Sequence, residues 1–135
     1  MKKINVLLGI LALVMMFGFT SKSHAQSGPV MYFCEKYDGG EVGISDRFTT
    51  GYLTVMVKCD YALGLSKCTI QFDKFNASSS KFEYFKDFPY DVTPDMKYIY
   101  FASKDLTFDK PGIYRVFLLD SGRKTVTSAL IEIIR

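Results

Sequence analysis

The chain has 135 residues, of which 48% are hydrophobic, enough to form the core of one domain but too few for two. Its formal net charge is only +3, so it lacks the basic surplus that is typical of nucleic-acid-binding domains. It has a single histidine, the residue type that acid–base catalysis uses most often and one of the main zinc ligands, and no tryptophan.

Residues 1–25 have the three-part pattern of a secretory signal peptide. A basic start precedes an apolar run of 14 residues, Val6–Phe19, and Ser23-His24-Ala25 provides a small-residue cleavage site. The run is shorter than the roughly 20 residues that span a bilayer, and no later segment is long and apolar enough, so no transmembrane span is expected after signal removal. We predict one domain over residues 26–135 in an exported protein that is periplasmic, outer-membrane-associated or extracellular.

Removal of this segment would change the charge and the chemistry of what remains. Lys2, Lys3 and Lys22 leave with it, so that 14 basic residues face 14 acidic ones, and His24, the only histidine, is lost. A chain without histidine cannot use Ser–His or Cys–His catalysis or histidine-ligated zinc. We therefore expect no enzyme activity, no cofactor, no metal and no nucleic-acid partner.

Three cysteines remain in a compartment where disulfides persist. Cys59 and Cys68 flank a short loop and form the favoured pair, whereas Cys34 and Cys59 could instead face each other on neighbouring strands. Three buried free thiols are the remaining possibility, because free cysteine packs as a small hydrophobe.

The exported part of the chain has the pattern of short strands separated by turns. Alternation of apolar and polar residues is clearest at Tyr52–Cys59 and Lys67–Phe75, which predicts strands with one buried face. Glu41–Ser45 is a short strand or an extended edge, and residues 46–51 are predicted to form a loop. Further strands are predicted at Val30–Tyr37, from Lys81 to about Asp87, where Pro89 interrupts, and at Met96–Ser103.

The C-terminal residues form the clearest supersecondary unit, a β-hairpin. Pro111-Gly112 precedes a strand at Ile113–Leu119, which a polar turn at 120–124 connects to a second strand at Thr125–Ile134. No ten-residue stretch after the signal segment has convincing helical periodicity. About seven strands at a spacing of roughly 8–12 residues predict an all-β fold, a single antiparallel β-sandwich.

The segment from Asp109 to Val116 resembles the tyrosine corner of immunoglobulin-like domains, with Asp109, Gly112 and Tyr114 in the structural positions. Lys110-Pro111 adds one residue between the aspartate and the glycine, and Val116 stands where antibody domains have a cysteine. The resemblance implies an immunoglobulin-like or fibronectin-like sandwich of the kind found in bacterial surface and periplasmic proteins. It implies no particular function, because this architecture hosts many unrelated activities.

If Tyr114 faces the core, the outer side of the hairpin is unusually apolar for a sheet face in water. The outward positions are Ile113, Arg115, Phe117, Leu119, Leu130 and Ile134. We predict that this face binds another envelope or secreted protein and that the chain is a non-catalytic accessory subunit. The alternative is that a loop, the N-terminal segment or a bulge in the last strand covers it.

The aromatic residues between Phe82 and Tyr100 suggest an alternative function. Exposed rings on a sandwich can stack on sugars, and such a carbohydrate-binding module would use Tyr84, Phe88, Tyr98 and Tyr100. The competing interpretation is that alternate rings fill the core.

Acidic residues offer two further possibilities, neither of which we favour. A carboxylate pair could hydrolyse a glycosidic bond without histidine. However, none of the four glutamates lies in a motif characteristic of such enzymes: Glu35, Glu41, Glu83 and Glu132. Five aspartates in or near connecting segments could gather round calcium, yet aspartate is also a common turn former: Asp87, Asp91, Asp95, Asp105 and Asp109.

Overall fold

The computed structural model describes residues 28–135, and the predicted signal peptide lies outside that range. The described residues form eleven strands and no helix, so the prediction of an all-β chain is confirmed. None of their segments is a helix that is long and apolar enough to cross a membrane. The strands are β1 (Val30–Tyr37), β2 (Glu41–Ser45), β3 (Arg47–Thr49), β4 (Gly51–Tyr52), β5 (Thr54–Lys58), β6 (Lys67–Asn76), β7 (Lys81–Asp91), β8 (Tyr98–Phe101), β9 (Thr107–Phe108), β10 (Gly112–Asp120) and β11 (Thr125–Ile134).

A four-stranded antiparallel sheet has the strand order β2-β1-β5-β8. Its central strand β5 is buried on both sides: Val55 and Val57 are in the core, and Thr54 and Met56, which face the other way, are only 3% and 0% exposed. The prediction of one buried face for this strand is therefore wrong. The second face is covered because the β1–β2 hairpin curls across it, as described below.

A five-stranded sheet has the order β3-β11-β10-β6-β7 and is antiparallel except where β3 runs parallel to β11. Residues 47–49 were predicted to be a loop; they are a strand because they pair with β11, which local sequence does not reveal. Strand β7 continues past the predicted break at Pro89 to Asp91. The proline is tolerated because β7 lies at the edge of the sheet. Strands β4 and β9 form a separate short pair.

The two large sheets share one hydrophobic core. Inward side chains alternate with outward ones along each strand, as a period of two requires. The four-stranded sheet contributes Met31, Phe33, Val55, Val57, Ile99 and Phe101, and the five-stranded sheet contributes Cys68, Ile70, Phe72, Tyr114, Val116, Leu118, Ile131 and Ile133. The two layers therefore pack face to face.

The C-terminal hairpin is anchored to the connection that precedes it. Tyr114 is fully buried, and its hydroxyl donates a hydrogen bond of 2.7 Å to the backbone carbonyl of Lys110. Gly112 has a φ of 152°, and a Cβ there would lie 2.8 Å from Lys74 Cε, so glycine suits the position. The Tyr114 hydroxyl therefore fixes the start of β10 to the connection that precedes it.

All three cysteines are buried and free, so the expected Cys59–Cys68 disulfide is not formed. The thiol of Cys68 donates instead to the carbonyl of Tyr90 at 3.7 Å. Cys34 lies opposite Thr54 in the β1–β5 register, five residues before Cys59, so these two cysteines do not face each other either. At about 3.3 Å per residue, that offset is far longer than a disulfide can bridge.

Lys86 points inward from the edge strand β7. Its ammonium donates to the carbonyls of Asp105 (3.0 Å) and Thr107 (2.5 Å) and lies 4.8 Å from the ring centre of Phe108. Burial lowers the pKa of Lys86. An inward lysine and a proline are devices that keep an edge strand from pairing with another chain. The free edge of β7 is therefore an unfavourable place for a partner strand.

Candidate functional site

The outer side of the C-terminal hairpin carries the predicted binding residues. Ile113, Leu130 and Ile134 are 44%, 52% and 37% exposed, and Arg115 is also exposed. Strand register places them on one surface, because Arg115 lies directly opposite Leu130 and both alternate with the buried residues of β10 and β11. We call this surface the hairpin face; it comprises Ile113, Arg115, Phe117, Leu130 and Ile134, with Phe82 from β7.

Leu119 was predicted to belong to this surface, but it is only 5% exposed. The register between β10 and β11 shifts between Leu118 and Leu119, leaving Val126 as an extra residue of β11. Such a bulge changes the direction of neighbouring side chains. Arg123 also reaches from the turn to Gln71 (2.8 Å) and so crosses this end of the sheet. The prediction for Leu119 is therefore wrong.

Arg115 is held in place by aromatic rings. Its guanidinium carbon lies 4.7 Å from the ring centre of Phe82 and 6.0 Å from that of Phe117, which is half-buried. Asp73 lies opposite it in the register with β6. A cation over a ring is attracted by the negative ring face. Arg115 is thus an ordered, exposed cation in the middle of an apolar surface.

A charged rim borders the hairpin face on the β3 side. Arg47 Nε and Glu132 Oε2 form an ion pair of 2.6 Å. Between this pair and the two apolar side chains Ile113 and Leu130 lies a shallow depression of about 280 Å³. A second depression, of about 620 Å³, lies beyond Arg47 and is lined in part by Ile44, Tyr52 and Ile134. The apolar surface therefore continues around the β3 edge.

The opposite end of the five-stranded sheet's outer side is polar. Arg123 forms an ion pair of 3.3 Å with Asp87, and the Tyr84 hydroxyl donates to the same carboxylate at 3.2 Å. Tyr84 is 63% exposed here, whereas Phe88, its predicted companion in sugar stacking, packs against Phe72 at 6.4 Å between ring centres. Phe88 is therefore a packing residue and does not belong to an exposed platform.

The other two predicted stacking residues, Tyr98 and Tyr100, lie on the outer side of the four-stranded sheet. The β1–β2 hairpin curls over this side: the ring of Tyr37 stacks on Tyr100, with ring centres 4.4 Å apart and 8° between planes. Strand register places Tyr32 level with Tyr100 across β5, and Tyr37 lies five residues further along β1. In a flat sheet Tyr37 would therefore be about 16 Å from Tyr100 along the strand direction. We call the group of Tyr32, Tyr37, Tyr98 and Tyr100 the tyrosine platform.

Glu41 sits at the tip of the curled hairpin and ties it to the sheet. Its carboxylate accepts a hydrogen bond of 2.5 Å from the Tyr32 hydroxyl. Hydrogen bonds from Tyr32 and then Tyr98 lower the pKa of Glu41, and burial followed by the Glu41 bond raises the pKa of Tyr32. Glu41 is therefore held ionised and Tyr32 protonated around neutral pH.

The acidic residues considered for catalysis or calcium binding are scattered. Glu83 accepts from Asn76 (2.9 Å), and Glu132 pairs with Arg47. Across residues 28–135, no group of three or more His, Cys, Asp or Glu side chains is placed to hold a metal ion. Glu41, Glu83 and Glu132 are instead partners of neighbouring side chains.

Sequence reasoning missed Tyr32, Tyr37 and Glu41 in the platform and Arg47 and Phe82 at the hairpin face. Tyr32 could be placed only by knowing that β1 pairs with β5 and β5 with β8, and Tyr37 only by knowing that the β1–β2 hairpin curls. In the sequence, a glycine within a strand, Gly43, is the local signal for that curl, and its φ is 68°.

No family model matches this chain, and a search of curated proteins finds none with significant sequence similarity.

Proposed function

We propose that the fold is an immunoglobulin-like sandwich. Strands β1, β5 and β8 would correspond to the A, B and E strands, and β11, β10, β6 and β7 to G, F, C and C′. In support, Tyr114 lies near the start of β10, the F equivalent, and its hydroxyl bonds back to Lys110. The parallel pairing of β3 with β11 would then be an edge addition to the G strand.

We further propose that the protein is an exported, non-catalytic module that binds another envelope or secreted protein through the hairpin face. The observation that carries this proposal is the exposure of Ile113, Leu130 and Ile134 at 44%, 52% and 37% on one sheet face. Three alternatives would cover this face: a loop, the N-terminal segment or a bulge in the last strand. The bulge accounts for Leu119, which is the buried one of the predicted outward residues, and the N-terminal segment lies outside the described residues. Exposed apolar surface of this kind favours burial against a partner.

The chemistry of the hairpin face fits a protein partner better than a small ligand. Energetically dominant interface residues are enriched in arginine and aromatic side chains surrounded by a polar rim. On the hairpin face, Arg115 and its neighbours Phe82 and Phe117 are side chains of this kind. The Arg47–Glu132 ion pair forms part of a polar rim. The depression beside Ile113 and Leu130 has room for an apolar anchor side chain of the partner.

Crosslinking and affinity capture from the native source test this proposal. The full chain, expressed with its own N-terminal segment, is compared with Leu130→Asp and with the control Val30→Asp. Both positions are about half exposed, at 52% and 53%, but Val30 lies on the four-stranded sheet. We expect one partner to be captured by the wild type and by Val30→Asp, and to be lost with Leu130→Asp. Equal capture by all three proteins, or no specific partner, would overturn the proposal.

A further inference from the structure

The rings of the tyrosine platform pack against one another although they lie at the protein surface. Tyr98 and Tyr100 are 36% and 52% exposed, yet Met56 and Cys34 beside them on the same sheet face are fully buried. Tyr37 stacks on Tyr100 and meets Tyr98 edge-on, with ring centres 6.1 Å apart. Tyrosine rings have few rotatable bonds, so fixing them in advance reduces the entropy cost of binding a ligand.

Polar groups of both kinds lie around these rings. Glu41 supplies a fixed, ionised acceptor. Lys58 lies directly opposite Tyr98 in the β5–β8 register and supplies a donor on the same face. Phenol hydroxyls can donate and accept. A ligand that binds here therefore meets ring faces next to several hydrogen-bonding groups.

A depression of about 300 Å³ adjoins the platform at the outer edge of β8. Tyr98 and Tyr100 line one part of it, and Tyr90, Asp91, Val92 and Met96 line another. This volume is at the lower end of the range for small-molecule sites, and the lining combines apolar and polar side chains as such sites do.

Tyr90 lines the inner side of this depression. Its hydroxyl is buried and lies beside Ser103, so it belongs to the protein interior and does not face a ligand. The polar groups that a ligand can reach are therefore those at the rim of the platform.

We propose that the tyrosine platform and the adjoining depression bind a neutral carbohydrate, separately from the hairpin face. A pyranose has an apolar C–H face, which suits the negative face of an aromatic ring, and hydroxyls, which both donate and accept hydrogen bonds. Charged groups of both signs adjoin the site, Glu41 and Asp91 against Lys58, so no field of one sign favours an ionic sugar. Tyr100 and Tyr98 stack on the sugar, while Glu41 and Lys58 bind its hydroxyls.

Glycan binding tests this proposal. The full chain is applied to an array of neutral oligosaccharides and to insoluble cellulose, xylan, chitin and mannan, and the best binder is titrated by calorimetry. We expect Tyr100→Ala and Tyr98→Ala each to weaken binding by about tenfold or more, which corresponds to the loss of one stacking contact. Tyr84→Ala removes a tyrosine that is 63% exposed on the other sheet, more than Tyr98 or Tyr100, and leaves binding unchanged.

Two further variants keep the test decisive if an alanine variant unfolds. Tyr100→Phe preserves the ring and should retain most of the binding. Lys58→Met removes the exposed donor beside Tyr98; it should weaken sugar binding several-fold without lowering the unfolding temperature, a combination that a purely structural role would not give. The proposal is overturned if no glycan binds, or if binding survives in both Tyr98→Ala and Tyr100→Ala. Partner capture by the hairpin face is independent of either result.

Discussion

The outer sides of the two sheets both carry large exposed side chains, but they are built differently. The hairpin face is one layer of side chains over the core, with aliphatic residues exposed next to an arginine and an ion pair. The outer side of the four-stranded sheet has buried Thr54 and Met56 beneath the curled β1–β2 hairpin, and at the surface it has stacked tyrosines with Val30 as an exposed aliphatic neighbour. An exposed aliphatic side chain can gain favourable free energy only from apolar contact, whereas a tyrosine ring also carries a hydroxyl that forms hydrogen bonds. This difference is why we assign a protein to one face and a sugar to the other.

The largest expected effect comes from truncating an outward residue on each face. Met56 points away from the core and is fully buried, whereas Leu130 points away from it and is 52% exposed. Met56→Ala should lower the free energy of unfolding by about 2–5 kcal/mol, because it leaves a cavity under the hairpin. Leu130→Ala should change it by less than about 0.5 kcal/mol. Urea unfolding measures both. Similar losses from the two variants would show that the faces are not built differently.

A glycine substitution tests what bends the hairpin over the sheet. Gly43 has a φ of 68°, and a Cβ there would lie 2.7 Å from the Glu35 side chain. Gly43→Ala should therefore cost about 1–2 kcal/mol, since L residues are disfavoured in this backbone conformation. Gly40→Ala, in the neighbouring turn, has nothing within 4 Å of the new Cβ and should be nearly neutral. If Gly43→Ala is also neutral in thermal unfolding, the curl does not depend on this residue.

Strand β6 could be predicted from its alternation, because it has a buried and a more exposed side over most of its length. The C-terminal hairpin could be predicted from its Pro-Gly entry and its polar turn. The three-residue strand β3 could not, since it exists through pairing with β11, which is more than eighty residues away in the chain. The burial of Leu119 depends on a bulge, and the burial of Met56 on a hairpin that curls over it. Such long-range effects leave no local pattern.

The same limit applies to the candidate sites. Outward residues of the hairpin could be named because the facing of Tyr114 decides that of its neighbours. The predicted stacking residues came from two different sheets, because aromatic content alone does not say which rings share a surface. Tyr98 and Tyr100 do share one, and Phe88 lies against Phe72 instead.

Acid pH should loosen the tyrosine platform before it affects the hairpin face. The pKa of Glu41 is lowered in the folded state by the bonds from Tyr32 and Tyr98. Its stabilising effect is therefore present above the unfolded pKa of about 4.3 and is lost as the pH falls through the lower folded value. The wild type should exceed Glu41→Gln in unfolding temperature at pH 7, and this difference should shrink below about pH 4. Tyr32→Phe should reduce the pH dependence in the same way. A difference that stays constant down to pH 3 would contradict the assignment.

The smallest effect on stability is expected at the rim of the hairpin face. A substitution there should change binding to the partner while leaving the free energy of unfolding almost unchanged. Arg47 and Glu132 are paired at 2.6 Å, but their side chains are 63% and 41% exposed, so Arg47→Gln should cost less than about 1 kcal/mol. A rim charge mainly affects association rate and its salt dependence. Arg123→Gln removes an exposed pair at the other end of the same sheet and serves as the matched control. With the captured partner in hand, surface plasmon resonance at low and high salt should show slower association for Arg47→Gln alone. Equal association rates for Arg47→Gln and Arg123→Gln would place the interface elsewhere, because the charge next to the hairpin face would then affect association no more than the charge at the far end of the sheet.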